Sequence, residues 1–348
     1  MAERVGFEPT KSFGPLHTFQ ACAFDHSATA PLGGATSHIV ALPQACRLWQ
    51  HHAMHRSRLP IVLIALSLTA AAPPTTVPPS PGEIVAAAPA SAWRPVAPEN
   101  LLVMNLADGA HVAIELAPDF APVHVANIRA FARAGWFDGG AIERVQDNYV
   151  VQWAGRDETR PLPAGVVAHP PAEYERPLAG LAFRPLAARD AYAAQVGHSD
   201  GWPVASDGRT AWLTHCYGMV GVGRDMPPDT GTGSELYTVI GQAPRHLDRN
   251  IALVGRIVSG IEPLTALPRG TGDLGFYTDP GQRTTITRVR LAADIPAAER
   301  PRYQVMRGDA PAFAAYLNAR ANRRDAFFVR PAGGVDLCNA PVPVRREP

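Results

Sequence analysis

The sequence predicts a mainly β protein whose strands close into an antiparallel barrel with helical caps. Between residues 101 and 292, short apolar segments of strand length alternate with turn residues, and helical segments are few. Strands and helices do not alternate in the way that a parallel sheet requires. Apolar residues make up 46% of the 348 residues and charged residues 18%, a composition that supports a packed core.

The first 98 residues form three segments outside this pattern. Residues 1–53 show no periodicity, and we interpret them as the product of a misassigned start codon or else as a disordered extension. Residues 54–72 join a basic start to the apolar run LPIVLIALSLTAAA and predict a signal peptide for export to the periplasm. The run is shorter than the ~20 residues of a membrane span, so an uncleaved anchor is the less favoured alternative. Residues 73–98 are rich in Pro and Ala and predict an extended linker.

Two cysteines, Cys216 and Cys338, follow the signal peptide. An oxidising compartment permits a disulfide between them, and a pair of free buried cysteines is the alternative. The formal net charge of +1 gives no reason to expect a nucleic acid partner. The histidines and cysteines lack metal-ligand spacing, and we expect no metal. Contact with a membrane is expected only through an uncleaved signal.

The main domain is predicted over residues 99–296, and its first half contains three patterned segments. Leu101–Val103 and Val112–Leu116 alternate in polarity on either side of a turn, which predicts paired strands. A helix is predicted to begin at the prolines within residues 118–122 and to end at Gly135. Ile142–Gln152 is predicted to be a single strand.

The rest of the chain is less regular. Residues 158–213 are rich in Pro and Gly and predict an irregular insertion with a short helix around residues 187–194. Residues 297–348 form a tail with one helix predicted over Pro311–Arg323. The remaining predicted elements are four strands and one helix, in chain order Tyr217–Val222, Leu236–Ile240, Ile251–Val258, the helix Ile261–Leu267, and Thr284–Leu291.

Four segments, in this order, resemble the cyclophilin-type peptidyl-prolyl cis-trans isomerases. Residues 112–139 resemble the first strand, helix and turn of the family, and IERVQDNYVVQWAG at 142–155 resembles its signature strand. GMVGVGRDMPPDTGTGSELYTVIG at 218–241 resembles the second signature, and residues 246–264 resemble a later strand. The resemblance implies an eight-stranded antiparallel barrel capped by two helices, in a divergent, exported bacterial member. It also implies that the protein assists the folding of exported proteins by accelerating rotation of X–Pro bonds in proline-containing polypeptides, without a covalent intermediate or a cofactor.

Arg144 and Gln152 are the predicted catalytic residues. Arg144 matches the catalytic arginine of the family, and Gln152 matches its signature glutamine, which binds the substrate backbone or holds the arginine. The other interpretations are a surface salt bridge for Arg144 and a structural hydrogen bond for Gln152. Rotation about an X–Pro bond faces a barrier of ~18–20 kcal/mol from amide resonance, and a donor aimed at the proline nitrogen favours the pyramidal form that lacks this resonance. Arginine suits the task because it is always charged and carries a planar fork of donors. The two residues are eight positions apart, an even step that places them on the same face of one strand.

An apolar pocket for the proline ring is implied by the same resemblance, with ordinary core packing as the other interpretation. The positions that match it are Tyr149, Val150, Tyr237 and Leu247. Tyr149 lies an odd step from Arg144, so a bend must turn it toward the site. Glu235 and His246 also match substrate-binding positions, but the family usually has glutamine and tryptophan there. These departures predict a more polar rim and poor sensitivity to cyclosporin.

Other functions remain open to different degrees. A binding module or chaperone could hold proline-containing segments with little isomerase activity, and the replaced pocket residues favour it. A structural envelope protein whose tail docks a partner is a third interpretation. A hydrolase built on Ser234, His246 and Asp248 is disfavoured, since no G-x-S-x-G turn surrounds the serine.

Overall fold

The computed structural model describes residues 77–157 and 159–347, and the segments predicted as 1–53 and 54–72 lie outside these described residues. The described part of the chain contains three antiparallel sheets. Their strands are β1 (Trp93–Pro95), β2 (Leu101–Leu106), β3 (His111–Leu116), β4 (Ala141–Val145), β5 (Val150–Ala154), β6 (Arg176–Pro177), β7 (Arg184–Pro185), β8 (Gln195–Ser199), β9 (Trp202–Ser206), β10 (Thr210–Leu213), β11 (Met219–Val222), β12 (Glu235–Val239), β13 (Leu253–Ser259), β14 (Ile286–Leu291), β15 (Tyr303–Met306) and β16 (Val344–Arg346).

Four α-helices accompany the sheets, namely α1 (Pro81–Ala86), α2 (Pro122–Arg133), α3 (Ile261–Ala266) and α4 (Pro311–Ala321). Proline occupies the first turn of α2 and α4, where its missing N–H costs no hydrogen bond. Helices α2 and α3 are the two predicted for the main domain, and both contribute buried side chains to the core of the barrel. No helix in the described part of the chain is long and apolar enough to cross a membrane.

The largest sheet confirms the predicted eight-stranded antiparallel barrel. Its strand order is β14-β2-β3-β13-β11-β12-β5-β4, and every neighbouring pair is antiparallel. A single bridge between Ala141 and Thr285 brings the two edges together, so the barrel is nearly closed. Its interior is filled by aliphatic and aromatic side chains, among them Ile114, Phe131 and Trp153, and Arg144 and Gln152 are not part of this core.

The prediction of one strand over Ile142–Gln152 is wrong, because this segment is a hairpin. Strands β4 and β5 pair antiparallel, and the chain turns between them at Asn148, which has a positive φ of 51°. Asparagine tolerates this left-handed conformation better than most residues. Arg144 and Gln152 therefore share a face as a cross-strand pair rather than as two positions on one strand. The turn is also the bend that the position of Tyr149 requires.

The prediction for residues 158–213 is also wrong over its second half. Residues 176–213 form a five-stranded sheet in the order β6-β10-β9-β8-β7, and residues 187–194 contain no helix. Two of its strands have only two residues and β9 contains Pro203, so these three strands show no readable alternation. This second sheet packs on the outside of the barrel through a separate apolar core that includes Val204, Trp212 and Leu253.

The N-terminal linker and the C-terminal tail prove to be parts of one substructure. Strand β1 pairs with β15, and β15 pairs with β16, so residues 93–95 form a third sheet with the tail. Helix α1 begins with a capping box between Ser80 and Glu83 and packs beside α4 through Ile84. The described part of residues 73–98 is thus folded rather than an extended linker, while the predicted tail helix is present as α4.

Candidate functional site

Four neighbouring strands bring three of the predicted site residues and one glycine into a row across the outer face of the barrel. Arg144 on β4 pairs with Gln152 on β5, Gln152 pairs with Tyr237 on β12, and Tyr237 pairs with Gly221 on β11. Directly paired residues of antiparallel strands point to the same face. We call Arg144, Gln152, Tyr237 and Gly221 the cross-strand row.

The guanidinium of Arg144 is held from several sides. Its Nη1 donates to Oε1 of Gln152 at 3.1 Å, and its Nε donates to the backbone carbonyl of Leu274 at 2.6 Å. Nη2 donates to Oε1 of Gln146. The rings of Tyr149 and Phe276 lie 5.7 and 5.4 Å from its Cζ atom, within the range of cation–π attraction. Arg144 is only 1% exposed, so its donors occupy a fixed position shielded from solvent.

Gln152 links Arg144 to a carboxylate. Its Oε1 accepts from Arg144, which fixes the orientation of the amide so that Nε2 donates to Oε1 of Glu235. Glu235 replaces a glutamine that the resemblance led us to expect, and it lies at the start of β12, half-buried. The site is therefore a chain of three polar side chains in which the central amide can adopt one orientation only.

An apolar surface adjoins this polar chain. Val150 and Tyr237 are buried and pack with Val239 and Ile251, while Tyr149 and Leu247 are only partly buried at the edge of the same cluster. His246 is exposed, and its ring is parallel to that of Tyr149 with the centroids 6.4 Å apart. The structure thus brings all eight predicted site residues together. Tyr237 is 1% exposed and forms the floor of this surface rather than its rim.

The group that holds Tyr237 from below carries no signal in the sequence. The Tyr237 ring packs over Gly221, where an added Cβ would come within 2.3 Å of it, and its hydroxyl lies 2.8 Å from Nε2 of His215. Nδ1 of His215 lies 2.9 Å from Oδ1 of Asp248. Arg245 then donates to Asp248 and to Asp190. No spacing rule points to these pairs, because they join residues of four separate segments.

The protonation states in this group follow from burial. Burial lowers the pKa of His215, outweighing the hydrogen bond to Asp248, and the neighbouring positive charge of Arg245 acts in the same direction. Burial also raises the pKa of Tyr237 well above its usual value. A neutral His215 between these partners carries its proton on Nδ1 and donates to Asp248, while Nε2 accepts from the Tyr237 hydroxyl.

The two candidate cysteines are joined. Cys216, directly after His215, forms a disulfide with Cys338 of the tail, and the two Cα atoms are 4.9 Å apart. This bond ties the C-terminal segment to the strand connection that carries His215. Among the described residues there is no group of three or more His, Cys, Asp or Glu side chains that could hold a metal ion.

Comparisons with known proteins identify the family and agree with the fold. The model of the family described as "Cyclophilin type peptidyl-prolyl cis-trans isomerase/CLD" matches residues 101–291. The crystal structure of cyclophilin AquaCyp293 from Hirschia baltica is similar with a TM-score of 0.57 and 25% sequence identity, covering 73% of this chain and 93% of that chain. The match agrees with the eight-stranded antiparallel barrel described above.

Curated relatives match over a shorter stretch. A probable peptidyl-prolyl cis-trans isomerase of Brucella suis is 46% identical over 55 residues, which are 16% of this chain and 28% of that protein. The corresponding protein of Brucella abortus is 44% identical over the same length. The matched stretch therefore spans little more than a quarter of these relatives. Since the family model covers more than half of the chain, the protein belongs to the cyclophilin-type peptidyl-prolyl cis-trans isomerase family.

Proposed function

We propose that this protein is a peptidyl-prolyl cis-trans isomerase that acts on proline-containing polypeptides. The observation that carries the proposal is the buried guanidinium of Arg144, fixed by Gln152 and the Leu274 carbonyl beside an apolar surface. The same arrangement supplies both things that the reaction needs, a donor for the proline nitrogen and an apolar contact for the proline ring.

The reaction requires no covalent step. When the X–Pro bond twists, the proline nitrogen loses its resonance with the carbonyl and gains a lone pair that can accept a hydrogen bond. A donor of Arg144 at that nitrogen binds the twisted state better than either planar isomer, which lowers the barrier. Gln152 and Glu235 fix the guanidinium in advance, so no reorganisation is needed as the bond rotates.

Substitution of Arg144 tests the proposal. Arg144→Ala should reduce the catalysed rate by about 10²- to 10³-fold, the usual effect of removing one preorganised donor. The measurement is protease-coupled cis-to-trans isomerisation of a prolyl tetrapeptide, with folding checked by circular dichroism. Arg144→Lys is the matched control, and it should restore only part of the rate because an ammonium lacks the planar fork. Equal acceleration by the folded wild type and Arg144→Ala would overturn the assignment.

We further propose that the protein works in the periplasm on exported polypeptides. The segment 54–72 has the charge and apolar pattern of a signal peptide, and the Cys216–Cys338 disulfide suits an oxidising compartment. The test is fractionation of cells that express the tagged protein, followed by mass spectrometry of its N-terminus. A mature chain beginning near Ala72 or Pro73 is expected, whereas an intact N-terminus in the cytoplasmic fraction would contradict the proposal.

A second candidate is a cyclophilin-fold binding module with little isomerase activity. The observation that favours it is the cover over Arg144, since Phe276 pairs with Arg144 in an isolated bridge and the Leu274 carbonyl already accepts from Nε. A substrate must reach the guanidinium past these residues. If the wild type binds a prolyl peptide without accelerating its isomerisation, the binding module is the correct function.

A further inference from the structure

The polar network below Tyr237 connects the floor and the rim of the apolar surface. His215 contacts the Tyr237 hydroxyl on one side and Asp248 on the other. Asp248 directly follows His246 and Leu247, the two rim residues, and it also accepts from the backbone N–H of His215. One imidazole therefore sets the position of the ring that forms the floor and of the short segment that forms the rim. We call His215, Tyr237, Asp248 and Arg245 the His215 network.

All four members of this network are buried, each with at most 9% exposure. Such a network has to be fully satisfied, because a buried polar group without its partner costs free energy. Here the polar groups are paired. Nε of Arg245 donates to Oδ2 of Asp248 at 2.5 Å, and Nη1 of Arg245 donates to Oδ2 of Asp190 at 2.8 Å. The network also reaches the second sheet, because Asp190 lies between β7 and β8.

Packing over Gly221 does not explain the Tyr237 hydroxyl, because a phenylalanine ring, which lacks only this group, could be buried there equally well. The hydroxyl instead fixes the ring along the row, since its hydrogen bond to His215 opposes sliding and rotation of the phenol. The parallel stacking of the His215 and Tyr237 rings, with centroids 6.2 Å apart, adds a second contact between the pair. Side chains at binding sites hold productive positions when such outer contacts lock them.

We propose that His215, held by Asp248, is a positioning residue that sets the affinity of the apolar surface for the proline ring. The inference deepens the proposed isomerase function and rests on it. It predicts two separate roles, in which Arg144 determines kcat and the His215 network determines the affinity for substrate. A contact that is equally strong in the ground state and the twisted state changes KM and leaves kcat alone.

The kinetic test uses the whole chain with Tyr237→Phe, His215→Phe and the double variant. Each single variant should raise KM by about three- to tenfold, the usual range for loss of one hydrogen bond, with kcat within about twofold of the wild type. The KM of the double variant should be no higher than that of the single variant with the higher KM, because both changes remove the same hydrogen bond. KM unchanged in both single variants, or effects that multiply in the double variant, would overturn the proposal.

His198→Phe is the matched control. His198 is also a buried histidine, but it lies on β8 and bonds to the carbonyl of Ala340, away from the cross-strand row. The same substitution there should leave KM unchanged even if it lowers stability. A rise in KM equal to that of His215→Phe would show a general structural effect and contradict a positioning role.

A spectroscopic readout separates this inference from the proposed function. In ¹⁵N-labelled wild-type protein, His215 should be a neutral ring protonated on Nδ1, and Tyr237→Phe should move its Nε2 resonance. A ring protonated on Nε2, or an Nε2 resonance indifferent to Tyr237→Phe, would sink the inference without reference to activity. A wild type with the expected resonances but no isomerase activity would overturn the proposed function instead. In that case the dissociation constant of a prolyl peptide is measured in place of KM. If His215→Phe fails to fold, the test rests on Tyr237→Phe alone.

Discussion

Two buried arginines of the barrel, Arg144 and Arg256, occupy very different surroundings. Arg144 donates to a backbone carbonyl and to two glutamine side chains on the outer face of β4 and β5. Arg256 on β13 donates from Nε and Nη2 to Oε2 of Glu115 at 2.9 and 2.6 Å, and Trp202 stacks on it. Amide and carbonyl acceptors orient the Arg144 guanidinium beside the proposed substrate surface, whereas a shared carboxylate joins one part of the fold to another.

The Glu115 cluster joins all three sheets. Glu115 lies on β3 of the barrel, Arg94 on β1 donates to its Oε1 at 2.7 Å, and Arg256 also donates to the carbonyl of Gly201 in the turn before β9. Burial raises the pKa of the Glu115 carboxyl, but the charges of Arg256 and Arg94 outweigh burial and hold the pKa below its usual value. This cluster should therefore govern stability, and the cross-strand row should govern activity.

Removing Glu115 should have the largest effect on stability. Glu115→Gln leaves two arginine side chains without their carboxylate in a buried site, which typically costs about 3–5 kcal/mol. We expect the free energy of unfolding in urea to fall by that amount while kcat/KM per folded molecule stays within about twofold. A loss of activity in the folded variant with unchanged stability would reverse the comparison between the two arginines.

Loss of the disulfide should have the next largest effect. Cys216 and Cys338 are 122 residues apart in sequence, so the bond restricts a long loop of the unfolded chain. Cys338→Ser should lower the free energy of unfolding by about 2–4 kcal/mol. A reducing agent should destabilise the wild type by a similar amount and leave Cys338→Ser unaffected. Equal sensitivity of both proteins to the reducing agent would contradict this expectation.

A smaller, pH-dependent effect is expected from His198 of the second sheet. Burial lowers the pKa of His198 to about 4, and the edge of its ring packs on Phe313 with the centroids 5.0 Å apart. Between this pKa and the usual value of about 6.5, the unfolded state binds a proton at His198 and the folded state does not. The contribution of the neutral His198 to stability is therefore complete above a pH of about 6.5 and is lost as the pH falls toward 4. The loss should be about 1.4 kcal/mol per pH unit in that window.

The measurement is the free energy of unfolding at several pH values between 7 and 4.5 for the wild type and His198→Phe. The variant cannot take up this proton, so its stability should fall less steeply with acidification. Parallel curves for the two proteins would show that His198 does not carry the pH dependence.

The barrel could be predicted from the sequence because its signals are local. The strands around Val112–Leu116 and Thr284–Leu291 alternate in polarity, and prolines mark the start of α2. Arg144 and Gln152 were placed on one face for the wrong reason, since an even spacing along one strand and a direct pair across a hairpin give the same result. The pattern of side chains was enough, although the turn at Asn148 was missed.

The second and third sheets could not be predicted because their strands are short or pair with segments far away in the sequence. Strand β1 is three residues long and pairs with β15, more than 200 positions along the chain, and β6 and β7 have two residues each. Such strands are stabilised by what packs on them rather than by their own sequence. The His215 network was missed for the same reason, because His215 and Asp248 are 33 positions apart and share no motif.

The central claim is that Arg144 accelerates rotation of an X–Pro bond on a peptide held by the neighbouring apolar surface. Magnetisation-exchange NMR tests it most directly, because it follows cis and trans signals of a prolyl peptide while shift changes report binding. With saturating wild-type protein we expect fast exchange, and with Arg144→Ala we expect similar binding but exchange slowed by about 10²- to 10³-fold. Exchange that is equally fast in both proteins, at equal binding, would contradict the claim.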